Sequence, residues 1–220
     1  MKKLFSIVLV LALFLQARAQ VPVYKEPRHH VVLDNSHVRL LDVHIAPGDT
    51  TQIHIHATPS VFLVLSNVKT GSQVIQEEDH SKSPVPHFGN ISFEGFYKLP
   101  RIHRVWNSDT SEFHVMDIEL PNKNYIMIDS PIQQAAFTFL FEEKPVRAYR
   151  LKLGPKEEAY LKPRKADILI IQTSDLFAEV YSNEASFNRK GDFLYVPTGH
   201  FIDLVNVGEA KAEFAFFELK

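Results

Sequence analysis

Short stretches rich in Val, Ile, Phe and Tyr recur along this chain, each closed by turn-forming residues, and no segment sustains a helical period. Runs at residues 38–45, 53–56, 61–68, 91–99 and 113–120 cover the first half. Runs at 137–141, 146–153, 168–172, 177–181, 193–196, 201–207 and 212–219 cover the second. Pro47-Gly48, Thr70-Gly71, Pro121-Asn122, Gly154-Pro155, Lys190-Gly191 and Val207-Gly208 supply the breaks. The pattern predicts an all-β protein, a sandwich or barrel, with one short helical turn at 130–136. It also repeats. Gly48 matches Gly154, and Phe62-Leu63-Val64-Leu65 matches Ile168-Leu169-Ile170-Ile171 at the same offset. Further on, Asn107 matches Asn206. Two tandem β-barrels follow, joined near residues 121–136.

The N-terminus departs from this pattern. Met1-Lys2-Lys3, an apolar run from Leu4 to Leu15 and the ending Ala17-Arg18-Ala19 have the layout of a secretory signal peptide over residues 1–19. The apolar run is too short to span a bilayer as a helix, so no membrane anchor is expected after cleavage. The expected location is periplasmic or secreted. The chain has no cysteine. That excludes disulfides, thiolate ligands and a cysteine nucleophile, and an exported protein must then rely on its own core. The net charge of −2 becomes more negative once Lys2, Lys3 and Arg18 are removed. It gives no reason to expect a nucleic acid or an anionic membrane as partner.

The candidate chemistry lies at His54-Ile55-His56. Side chains alternate along a strand, so the two imidazoles project from one face, as half of a metal site would. Gly48, His54 and His56 match the opening of G-x5-H-x-H. Gly95, Pro100, His103 and Asn107 follow the order of G-x5-P-x-G-x2-H-x3-N, with a shortened turn before the histidine. Gly191, Pro197, Gly199 and Asn206 repeat this second motif with Ile202 in the histidine's place. These are the two motifs of the cupin superfamily, which the chain resembles from Val38 to Asn107 and again from Val146 to Asn206.

The resemblance implies two tandem cupin jelly rolls, a bicupin, with an N-terminal barrel over 28–125 and a degenerate C-terminal barrel over 137–220. It also implies a divalent transition metal (Fe, Mn, Ni, Cu or Zn) held by His54, His56 and His103. The family's glutamate is missing, because Ser60 or Val61 stands in its place. Some cupin dioxygenases use three histidines alone, so its loss does not by itself end catalysis. Tyr160, Lys162 and Ile202 occupy the matching positions of the second barrel, a set that holds no transition metal.

Gln52, Phe62, Tyr97 and Trp106 are candidates to line a substrate pocket, since a barrel mouth needs apolar walls around few polar groups. Asp117 or Glu119 is a candidate replacement carboxylate, and His44 or His114 a further imidazole. The resemblance implies a small-molecule metalloenzyme of dioxygenase, isomerase or lyase type. The alternative is a non-catalytic carbohydrate or small-molecule binding protein with a degenerate site. Pairing of barrel sheets into a homo-oligomer is also implied.

Overall fold

Strand-forming residues dominate because side chains here are buried on one or both faces of twisted sheets. The structure, a computed structural model, describes residues 20–75, 87–174, 180–181 and 186–220. The expected signal segment and most of the expected strand at 177–181 lie outside the described residues. In chain order the first half contributes β1 (Val21–Pro22), β2 (His29–Asp34), β3 (Arg39–Ile45), β4 (His54–His56), β5 (Ser60–Val64), β6 (Thr70–Val74), β7 (Ile91–Glu94), β8 (Arg101–Asn107) and β9 (Phe113–Glu119). The second contributes β10 (Phe137–Glu142), β11 (Val146–Leu153), β12 (Glu158–Leu161), β13 (Asp167–Gln172), β14 (Val180–Tyr181), β15 (Ser186–Phe187), β16 (Phe193–Val196), β17 (Ile202–Asn206) and β18 (Ala212–Leu219). The helical turn expected at 130–136 is absent, and a 3-10 turn occurs instead at Val23–Lys25. Among the described residues no helix is long and apolar enough to cross a membrane.

Each half is built from a five-stranded and a four-stranded sheet. The five-stranded sheets run β2-β3-β9-β5-β7 and β10-β11-β18-β13-β16, the same order of equivalent strands. The four-stranded sheets run β1-β4-β8-β6 and β12-β17-β14-β15. Pairing within the five-stranded sheets is antiparallel throughout.

The two five-stranded sheets share one apolar cluster. Leu40, Leu63, Met116 and Ile118 of the first half join Val146, Leu169, Ile171 and Phe217 of the second. Central strands are therefore covered on both faces, and all six residues of β13 are buried. This is why β5 and β13 read as continuous apolar runs rather than alternating ones.

The interiors differ. Inside the second half, Tyr149, Leu151, Ile170, Phe187, Phe214 and Phe216 fill the space as a packed core. Inside the first half a smaller apolar set, including Leu41, Val43, Ile45 and Val64, leaves room for polar groups.

One asparagine closes each half in the same way. Asn107 Nδ2 donates to the Ile45 and Ser111 carbonyls at 2.9 and 2.7 Å. Asn206 Nδ2 donates to the Leu153, Gly154 and Ala210 carbonyls at 3.1, 3.0 and 2.8 Å. Backbone bonds repeat too: Gly48 N–H donates to Asn107 O, and Lys156 N–H to Asn206 O. Gly48 and Lys156 both have positive φ, 74° and 62°.

The structural partner of Gly48 is thus Lys156, not the Gly154 of the sequence match. Removing the amide leaves the buried Leu153 carbonyl without this donor and loses two further half-buried bonds, so Asn206→Ala is expected to cost about 2 kcal/mol. A shift of the urea midpoint at constant slope checks it.

Candidate metal centre

β4 and β8 pair antiparallel with His54 directly opposite His103. Alternation then brings His56 to the same inner face. Histidine Nδ1 or Nε2 atoms of His54, His56 and His103 all lie within 4.8 Å of one another. The ring centroids are 5.0 Å apart for His54 and His56, 4.6 Å for His54 and His103, and 5.0 Å for His56 and His103. His54 and His56 are 1 % and 2 % exposed.

The hydrogen bonds fix which nitrogens face inward. His54 Nδ1 lies 2.9 Å from the Gln52 carbonyl, which can only accept, so Nδ1 carries the proton and Nε2 keeps its lone pair. His54 Nε2 lies 3.1 Å from His56 Nε2. His103 Nδ1 meets Ser72 Oγ at 3.3 Å, while its buried Nε2 has no hydrogen-bond partner. A cation shared by the three Nε2 atoms would satisfy this inward-facing set, so the residues fit a metal.

Burial keeps these imidazoles neutral. It is the largest cause of lowering for all three, and charge on neighbouring histidines adds to it. His54 and His56 are each pushed down to about 3, and His103 is lowered as well. Neutral imidazole is the form that binds a metal.

Asp117 lies on the other side of His56, with Oδ2 3.4 Å from Nδ1. Burial raises its carboxyl to about 7. Because His56 turns Nε2 toward His54, Asp117 lies behind the ring, with no hydrogen bond to it, rather than where it would replace the missing glutamate. Glu119 is engaged elsewhere, in an ion pair with Arg39 at 2.9 Å.

A cavity of about 590 Å³ surrounds the triad. Of the four candidate wall residues, Phe62 lines it, with its ring 5.6 Å from that of His56. Gln52 does not: its side chain is exposed, and its contribution is the carbonyl that holds His54. Tyr97 is 59 % exposed outside the cavity, because β7 ends at Glu94 rather than near residue 99. Trp106 stands three residues from His103 on one strand and so faces the opposite side. It covers Gly71, where an added Cβ would collide with the indole.

Among the described residues the second half offers no such site. Tyr160 and Lys162 are exposed, and the inward positions of β12 are Ala159 and Leu161. Leu161 pairs with Ile202 as His54 pairs with His103, so the true register differs by one residue from the sequence match.

A fourth imidazole belongs to the cavity that the sequence did not reveal. His29 lines it, with its ring 4.8 Å from His54 and 6.4 Å from His56. Its Nδ1 meets Glu26 Oε2 at 2.7 Å. Glu26 is 1 % exposed, and bonds from His29 and from the Gln52 and Arg28 amides outweigh burial to lower it to about 2. The available signal is Glu26-x-x-His29, in a stretch that carries none of the apolar runs. At the mouth, Arg101 and Glu94 pair at 2.8 Å, and the Arg101 guanidinium lies 5.6 Å from the Phe96 ring.

No protein-family model and no curated protein matches this chain in sequence. The fold is nonetheless shared with solved structures, and it is the cupin fold. AerE from Microcystis aeruginosa superposes with a TM-score of 0.59 at 11 % identity, covering 89 % of this chain and 98 % of its own. YhhW from Escherichia coli gives 0.56 at 14 %, covering 86 % and 84 %. A salicylate 1,2-dioxygenase from Pseudaminobacter salicylatoxidans gives 0.59 at 13 %, covering 97 % and 82 %. A further salicylate 1,2-dioxygenase structure, solved as adducts with gentisate, gives 0.59 at 11 %, covering 97 % and 79 %.

Proposed function

We propose that this chain is an exported bicupin metalloenzyme that acts on a small, chelating organic acid. The observation that carries the reading is the convergence of His54, His56 and His103 in a hollow barrel whose counterpart is filled. Neutral imidazoles leave the charge of a divalent metal uncompensated, which favours an anionic ligand in the open positions. The cavity volume falls in the range of small-molecule sites. Arg101 at the mouth is placed to meet a carboxylate. The salicylate 1,2-dioxygenase of the same fold is named for an organic acid of this class. A bound transition metal would supply Lewis-acid polarisation of a chelated oxygen and, as Fe(II), reactivity with O₂.

The N-terminal layout of residues 1–19 supports export to the periplasm or outside the cell. The division of sheets between β9 and β10 supports barrels over 28–125 and 137–220. The missing glutamate and the shortened second motif support the binding alternative, against which stands the convergence of the three imidazoles.

Elemental analysis tests the metal reading: His54→Ala/His56→Ala is expected to lose one equivalent of the transition metal that the unaltered protein retains. No difference between the two would overturn it. O₂ uptake by the Fe(II)-loaded protein with a panel of hydroxy acids tests the oxygenase branch.

His29, backed by Glu26, is the group placed to hold or move a proton beside the metal ligands. His29→Gln is expected to lower turnover by about 10²-fold while the triad's metal equivalent stays. Loss of that equivalent would instead make His29 a ligand.

A further inference from the structure

A second convergent set lies on the outer face of the five-stranded sheet, away from the triad. β3 and β9 place His44 directly opposite His114. Asp42, two residues from His44 on β3, shares their face. His114 Nε2 and His44 Nε2 approach the same oxygen, Asp42 Oδ1, at 2.7 and 3.0 Å. The two rings stack with centroids 4.2 Å apart. One ligand atom from each residue lies within 4.8 Å of the other two.

His44 Nδ1 is held from behind by Glu112 Oε2 at 2.9 Å. The set opens onto a groove of about 670 Å³ between the two halves. Arg189, Lys190, Gly191 and Asp192 form its opposite wall. Gly191 comes close enough that an added Cβ would sit 3.1 Å from His114 Cε1. All three residues are half-buried, so solvent reaches the groove while the side chains keep fixed positions.

We propose that Asp42, His44 and His114 bind a zinc-class divalent cation in the groove between the halves, independently of the histidine triad. Two imidazole nitrogens and one carboxylate oxygen are a donor set that tetrahedral zinc accepts, with a fourth position open to water. Glu112 accepting from His44 Nδ1–H leaves Nε2 as the coordinating atom, the outer-shell arrangement that orients metal-bound histidines.

The proton balance is simple. His44 faces carboxylates with both nitrogens and donates from both, so on coordination its Nε2 proton passes to solvent. His114 takes the tautomer with its proton on Nδ1. Both Nε2 atoms converge on Asp42 Oδ1, so the ion takes the place of the two protons they share with that oxygen.

Equilibrium dialysis at micromolar free zinc, followed by elemental analysis, tests the site in a background without the triad. His54→Ala/His56→Ala is expected to retain one equivalent of zinc, and adding His114→Gln is expected to remove it. Zinc should raise the melting temperature of the first protein and not of the second. If the double variant holds no zinc, or if its zinc is unaffected by His114→Gln and by Asp42→Asn, the proposal fails. Circular dichroism without zinc checks that each variant folds, and Asp42→Asn gives the same reading should His114→Gln not fold. If the unaltered protein and the double variant both hold one equivalent, lost with His114→Gln, the groove site stands and the triad reading falls.

Discussion

His103→Leu is expected to abolish metal retention at the triad and, at the same time, to make the metal-free protein more stable. Even outer partners of metal ligands are worth 10–100-fold in affinity, so loss of a ligand should weaken binding by at least about 10²-fold. The stability effect has the opposite sign because His103 Nε2 is buried without a partner. Replacing an unsatisfied polar group by an apolar one of similar size removes a desolvation penalty of about 1–3 kcal/mol. Dialysis with elemental analysis reads the first effect, and urea unfolding in the presence of a chelator reads the second. A metal-free His103→Leu protein less stable than its parent would mean that the imidazole is there for packing. The pairing of both signs is the mark of a site kept for binding at the expense of stability.

The strands buried on both faces were the most legible part of the sequence. Residues 146–153 and 212–219 were expected as strands at the bounds that β11 and β18 occupy. Their apolar positions face both the barrel interior and the contact between halves, and two of the charged residues among them, Arg147 and Glu218, are buried as a pair at 2.9 Å.

Strands that line the cavity were less visible. β8 carries Arg101, His103 and Arg104, because its inner face meets polar groups and its outer face meets solvent. β2 likewise begins with two histidines and is not among the runs that the hydropathy pattern predicts. β6, with Gly71, Ser72 and Gln73, reads as a turn for the same reason.

The triad was visible because fixed spacing survives where hydropathy fails, and His54 and His103 prove to be cross-strand partners. Trp106 faces away from the cavity because three residues along a strand reverse the face. His29 and Glu26 were missed because their partners, His54 and the Gln52 amide, are distant in sequence and meet them only in the fold.

Acid is expected to destabilise the metal-free protein steeply, with the loss beginning as pH falls below 6.5, the ordinary value for histidine. His54 and His56 stay neutral in the folded chain down to about 3, and His103 is lowered too. The unfolded chain takes up their protons first, so the unfolded state binds more protons in this window and stability rises with pH. Asp117 acts in the opposite sense. Its carboxyl, raised to about 7, is protonated when folded and ionised when unfolded, so its contribution is lost as pH rises from about 4 to 7. Each group changes the slope by about 1.4 kcal/mol per pH unit. Between about pH 4 and 6.5, therefore, one carboxyl offsets one imidazole and two imidazoles remain. The net slope from these groups is about 3 kcal/mol per pH unit, enough over this window to exhaust a folding stability at the lower end of the typical range of about 5–15 kcal/mol. Urea titrations in chelator across this range measure it. Asp117→Asn should steepen the slope by about 1.4 kcal/mol per pH unit, because it removes the one opposing group. His54→Leu/His56→Leu should flatten it, because one imidazole and one carboxyl then offset each other. A slope unchanged by either variant would mean that these side chains titrate normally, and that the barrel interior is wet enough to charge its histidines.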